Sequence, residues 1–321
     1  YTPVEPKLDF FGARKFFFAL SILMVVASVA LVFTKGLNFG VDFRGGIVME
    51  VQTDGPAATD ELRTDLNALG LGDVQLQTFG SPDVVLINVP LQEGDEGAQQ
   101  AAVQAIQDTI GDAALEYRRV ESVGPKVGDE LKTGGIIATV LSMLGIAIYV
   151  WVRFDLSYGL AALVALLHDV IATVGFFSLT GIEFNLATLA AILTVAGYSI
   201  NDTVVIFDRV REELRRYKRL PVPQVLNKAM NATLTRTTLT SFTTLLALFG
   251  LFIFGGEVIR GFSAGIIFGI VIGTYSSWGC AVPLLGFFRL RPAATAAKGV
   301  EGEGTADPEA DAEPGDAQQR T

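Results

Sequence analysis

Thiols and imidazoles are nearly missing from this 321-residue chain, which holds one cysteine, Cys280, and one histidine, His168. One cysteine excludes an intrachain disulfide framework, and the two residues are too few for a zinc centre of the usual Cys/His kind. Charge is sparse too, at 18% of residues, and the net formal charge of −10 has the wrong sign for a nucleic-acid binder. No G-x-x-x-x-G-K-[ST] string occurs, so no phosphate-cradling loop of that type is encoded. What is abundant is apolar: half of the residues, with a mean hydropathy of +0.44. That excludes a disordered chain and is too greasy for an ordinary soluble enzyme. An integral membrane protein remains.

The charges are segregated. Residues 1–36 are weakly basic, and 37–134 carry 17 acids against 6 bases. Residues 135–292 carry 12 bases against 8 acids, and 293–321 carry 7 acids against 2 bases. Six apolar stretches, 16–33, 135–152, 158–179, 185–207, 237–254 and 261–288, are near or above the ~20 helical residues that cross a bilayer core. The first has the basic flank of a signal peptide, but its apolar run exceeds the usual ~7–15 residues, so it reads as a retained helix. Lys and Arg concentrate in 208–236, at Arg153 and at Arg289 and Arg291. The positive-inside rule then puts both termini and a basic 208–236 loop in the cytoplasm and 37–134 outside. Residues 1–15 form the cytoplasmic N-terminus, and the acidic 292–321 tail reads as disordered.

Within 37–134 the periodicity alternates: strands at 46–52, 74–78, 84–89 and 115–123, helices at 59–69 and 98–110. That βαββαβ order predicts an inserted α+β domain of ferredoxin-like, split-βαβ type. The expected fold class is thus a six-helix transmembrane bundle with an inserted α+β domain outside the membrane.

Charge inside a span costs ~2.5–3.5 kcal/mol at its centre, so it needs a partner or a role. Three groups qualify. Asp202 lies in the fourth span with Tyr198 one turn before it and Asn201 beside it. Arg236 opens the fifth, followed by Thr237 and a run of hydroxyls. His168-Asp169 sits in the third, where a histidine titrating near neutrality can exchange protons with the adjacent carboxylate. Bland readings compete: a packed carboxylate, an arginine snorkelling to the interface, a hydrogen-bonded core pair. Together the groups suggest a proton path centred on Asp202 and Arg236, with Tyr198, Asn201, Thr237, His168 and Asp169 in support. The Gly261-x3-Gly265-x3-Gly269-x3-Gly273 pattern predicts close helix contact.

Gly40-Val41-Asp42-Phe43-Arg44-Gly45-Gly46, Val123-Gly124-Pro125-Lys126-Val127-Gly128 and Gly197-Tyr198-Ser199-Ile200-Asn201-Asp202-Thr203 resemble, in order, motifs of the SecD/SecF protein-export family, on its SecF side. So do Thr235-Arg236-Thr237 and Gly273-Thr274-Tyr275-Ser276-Ser277. The likeness spans roughly residues 10–290. It implies half of an RND-type transporter in the cell membrane that pairs with SecD and assists the SecYEG channel and SecA motor. The proton gradient would help draw out the translocating preprotein. In that family the fourth-helix aspartate and fifth-helix arginine serve proton conduction, which carries over to Asp202 and Arg236. Protons would be the coupling ion; no other cofactor, metal, nucleic acid or enzymatic activity is implied. The alternatives are a small-molecule or lipid efflux half-transporter and a purely structural assembly subunit. An intramembrane aspartyl protease is disfavoured because Asp202 follows Ser-Ile-Asn rather than Gly-x-Gly.

Overall fold

The computed structural model describes residues 8–94, 96–288 and 290. The 292–321 tail, with Arg289 and Arg291, lies outside the described residues, and the N-terminal segment is described only from residue 8. Six helices are long and apolar enough to cross a bilayer. Five of them are α1 (Arg14–Thr34), α5 (Pro125–Arg153), α6 (Leu156–Thr180), α7 (Leu186–Arg216) and α8 (Val222–Phe254). The sixth is a rod made of α9 (Gly256–Ser276), a π-helical turn (Ser277–Ala281) and α10 (Val282–Leu285). The short α2 is Val41–Arg44. The domain beyond it holds β1 (Gly46–Thr53), α3 (Thr59–Asn67), β2 (Gln75–Phe79), β3 (Ser81–Val89), α4 (Glu96–Ile110) and β4 (Ala114–Val123).

The four strands form one sheet in the order β2-β3-β1-β4, every neighbouring pair antiparallel. Strand residues alternate between faces. Ile47, Met49 and Val51 of β1 and Val85, Ile87 and Val89 of β3 therefore share the face that packs against Leu66 of α3 and Ile106 of α4. Each such buried side chain contributes ~1.5–3 kcal/mol, enough to hold a small domain without a disulfide.

The domain is tied to the bundle through α2 and the glycines behind it. Gly45 and Gly46 have φ of +73° and +118°, and a Cβ on Gly46 would come 2.6 Å from the Val89 carbonyl oxygen. Only glycine fits that close, left-handed passage from helix to strand. Asp42 of α2 accepts a hydrogen bond (2.8 Å) from the Leu186 N–H at the exposed N-terminus of α7. Phe39, Phe43 and Phe184 pack ring against ring beside it, and Phe177 adds a fourth ring. On β4, Arg119 pairs with Glu121 at 2.6 Å and lies within electrostatic reach of Asp42 and of Glu183, in the α6–α7 turn.

The basic 208–236 segment is mostly helix. α7 continues to Arg216 and α8 begins at Val222, which leaves only 217–221 between them. The early start of α8 has a packing cause. Pro221 and Pro223 suit a helix's first turn, and Val225, Leu226, Ala229 and Met230 recur on one face. Leu226, Ala229 and Met230 of that face are buried in a core with Phe154, Tyr158, Phe207 and Val210. α5 likewise starts at Pro125, ten residues before the apolar run, because the first turns of this helix support α2 rather than cross a membrane.

α6 and the α9 rod are the most enclosed helices, while α1, α5 and α8 turn most of their apolar surface outward. The glycine pattern explains the centre. Gly265 faces Ala191 and Phe177, Gly269 faces Val195 and Gly273 faces Ser199, so α9 lies directly on α7. A Cβ on Gly269 would collide with Val195, whereas one on Gly197 would meet nothing within 4 Å. Gly269→Ala should therefore cost about 1–3 kcal/mol by overpacking, and Gly197→Ala should be neutral or mildly stabilising. Thermal melts of the two variants in detergent micelles check this.

A second expectation concerns Glu183. Burial pushes its carboxyl above the ordinary glutamate value, Arg119 partly offsets this, and Glu121 and Asp42 add to the rise. The folded state thus holds this proton more tightly than the unfolded chain does. Its contribution is present at acid pH and fades as pH rises past 4.5 and through the raised folded value. Glu183→Gln should flatten the corresponding decline, as read from melting temperature against pH between about 4 and 7.

Candidate functional site

α7 is the helix on which the site is built. Ser199, Asp202 and Thr203 fall at i, i+3 and i+4, so they share one face. All three are buried. Asp202 is 2% exposed and among the described residues has one side-chain hydrogen bond, a long one: the Ser241 hydroxyl of α8 donates to its Oδ2 at 3.5 Å. Ser241 also pairs at 2.7 Å with Thr274 of α9. Thr203 pairs at 2.9 Å with Ser277.

A second carboxylate lies behind the first. Asp169 of α6 is wholly buried, and its two oxygens meet three side chains. Ser199 donates to Oδ2 at 2.5 Å, Ser276 donates to the same oxygen at 2.7 Å, and His168 Nδ1 lies 2.9 Å from Oδ1. Ser276 and Ser277 are consecutive, about 100° apart on a regular helix, so each reaches a different neighbour. Ser276 serves α6 and Ser277 serves α7. The π-helical turn begins at Ser277, and such turns often mark working positions in long helices.

The residues singled out from sequence separate in space. Asp202, His168 and Asp169 enter the buried band of hydroxyls. Arg236 is exposed on α8, within electrostatic reach of Asp202 but without an ion pair to it among the described residues. Tyr198 points its hydroxyl at Thr244, 3.5 Å away, rather than at Asp202. Asn201 is exposed, and the Thr237 hydroxyl bonds back to the Thr233 and Leu234 carbonyls of its own helix. The residues that do touch the two carboxylates, Ser199, Ser241 and Ser276, lay in the sequence as part of longer motifs. The i, i+3 spacing of Ser199 and Asp202 was the available signal for the first. The other two depend on how α8 and α9 pack. Among the described residues no group of three or more His, Cys, Asp or Glu side chains could hold a metal ion.

Residues 102–291 match the family described as protein export membrane protein SecD/SecF, C-terminal, and residues 30–57 match the SecD/SecF GG motif. The chain belongs to the SecD/SecF family of protein-export membrane proteins. It is therefore a multi-pass membrane protein, and its outward apolar helix faces are what that setting requires. The GG-motif match covers α2 with Gly45 and Gly46, the passage that ties the domain to the bundle. Over 86% of its length the chain is 46% identical to the protein translocase subunit SecF of Magnetococcus marinus, covering 90% of that protein. It is 42% identical to the SecF subunit of Rickettsia bellii, over 89% of this chain and 95% of that one. The crystal structure of SecDF, a translocon-associated membrane protein from Thermus, superposes with a TM-score of 0.76 at 32% identity. That match takes in 93% of this chain but 40% of the longer SecDF chain.

Proposed function

We propose that the chain is a SecF-type accessory subunit that pairs with SecD and uses the proton gradient to promote preprotein export through the SecYEG channel and its SecA motor. It performs no covalent catalysis. Both termini face the cytoplasm and the α/β domain faces outward, an orientation supported by the basic residues at the α7–α8 end of the bundle. The domain is read as ferredoxin-like; its βαββαβ order and its β2-β3-β1-β4 antiparallel sheet support that reading.

The observation that carries the proton-driven reading is the state of Asp202. A carboxylate 2% exposed, in a membrane helix, is held by a single hydroxyl at 3.5 Å. A purely structural acid would be paired and fully hydrogen-bonded, because an unpaired charge there is expensive. Asp202 is instead lightly restrained, within electrostatic reach of the exposed Arg236 on the adjoining helix. In this mechanism Asp202 takes a proton on a carboxyl oxygen and releases it when the Arg236 guanidinium draws near, since a nearby cation favours the charged carboxylate. Ser241, shared between Asp202 and Thr274, couples that step to α8 and α9. Tyr198, Asn201 and Thr237 would line the wetter side of the path.

Membrane vesicles containing the SecD partner test this. Asp202→Asn and Arg236→Lys should assemble normally, while proton flux and gradient-stimulated export fall by roughly a hundredfold, the lower end of what a positioned proton-transfer group supplies. Export and flux that survive Asp202→Asn would establish the structural-subunit alternative.

A further inference from the structure

Resting on the proton-driven reading but separate from Asp202, we infer that His168 and Asp169 form a second proton-binding site, with His168 Nε2 as the atom that takes and gives up the proton.

Hydrogen-bond accounting leads there. Asp169 accepts from Ser199 and Ser276 on one oxygen and faces His168 Nδ1 with the other. Ser276 also lies 3.1 Å from the Gly273 carbonyl, but its shorter contact is the carboxylate. A carboxyl group that only accepts is ionised. His168 Nδ1 must then carry the hydrogen it donates, which fixes the tautomer and leaves Nε2 as the ring atom whose protonation changes the charge. His168 is 4% exposed, and its Nε2 meets no hydrogen-bond partner among the described residues. With Nε2 bare, the pair carries one negative charge in the middle of the bundle. When Nε2, closed off from solvent in this conformation, takes a proton from a hydronium ion that is left as water, the imidazolium and carboxylate form a neutral pair, and the reverse step returns the proton. No other bond is made or broken.

The surroundings leave this role to the histidine. On α9, the Tyr275 ring lies 6.2 Å from the imidazole, but its hydroxyl is engaged by the Phe17 carbonyl and Ser21 of α1. Cys280, in the π-helical turn, is a buried thiol within electrostatic reach of Asp169. On α7 the buried carboxylate is Asp202, one turn beyond Ser199, while Tyr198 turns its hydroxyl to Thr244. No Lys or Arg forms an ion pair with Asp169 among the described residues, so His168 is the cation its charge can recruit. The two sites also face different helices. Asp202 takes its hydroxyl from α8, whereas His168 lies beside the Tyr275 contact with α1. Proton uptake at His168 would change the charge where Ser199 of α7 and Ser276 of α9 meet Asp169 of α6, contacts that Asp202 does not make.

The chain's single histidine makes the test direct. The purified full chain, prepared with a histidine-free tag and ¹⁵N-labelled histidine, gives one imidazole spectrum in lipid nanodiscs. The expected spectrum near pH 8.5 shows hydrogen on Nδ1 and a bare Nε2, and Nε2 gains its hydrogen in one step as pH is lowered to about 5. Asp169→Asn should abolish the fixed tautomer and lower the protonated fraction at any one pH. Ser199→Ala is the milder change that guards against misfolding, and it should keep Nδ1–H while raising that fraction. Asp202→Asn should leave the spectrum unchanged. A ring that stays neutral to pH 5, one with hydrogen on Nε2 and a bare Nδ1, or one whose titration vanishes in Asp202→Asn overturns the inference. A ring that titrates as expected in a chain whose flux survives Asp202→Asn keeps this site and removes only the Asp202 mechanism.

Discussion

The close approach of α9 to α7 is the contact on which the rest depends. It is possible because Gly265, Gly269 and Gly273 place no side chain between the two backbones and Ala191, Val195 and Ser199 fill the space. In lipid, helices gain little from the hydrophobic effect, so close van der Waals contact and interhelical hydrogen bonds must hold the bundle. The same contact sets Thr274, Ser276 and Ser277 opposite Ser241, Asp169 and Thr203. Packing and polar network are one feature here: the glycine face sets the distance and the serines use it.

The two carboxylates at that contact are held differently. Asp169 is enclosed by three hydrogen-bonding side chains from α6, α7 and α9, an arrangement that makes a buried charge tolerable. Among the described residues Asp202 has one long side-chain hydrogen bond, and Arg236, within electrostatic reach, forms no ion pair with it. A tightly satisfied acid resists change and a loosely satisfied one invites it. This difference is the physical basis for giving them separate roles.

At the other end of the bundle, the α/β domain is joined to the helices by few but specific contacts. Asp42 accepts from the first N–H of α7, the Gly45-Gly46 passage leads the chain into β1, and an aromatic cluster packs beside them. Glu183 and Arg119 bring charge to the same place from the helix turn and from β4. A joint of this size lets the domain fold around its own core and still register changes in the helices beneath it.

The amino-acid sequence by itself determined the six apolar helices, because a run of about 20 apolar residues has few other stable fates. It determined the alternation that builds the sheet, since period-2 patterning with Gly-rich turns leaves little else. It also marked Asp202, Arg236 and His168-Asp169, because charge in a span stands out against its surroundings. It did not reveal the length of α8, whose first turns are half polar and become helix by burying Leu226 and Met230 against α7. Nor did it reveal which hydroxyls touch which carboxylate. Serine and threonine are common in membrane helices and satisfy themselves on their own backbone, as Thr237 does. Whether such a hydroxyl bonds inward along its helix or across to a neighbour depends on the rotation and separation of two helices, and only the tertiary structure decides these.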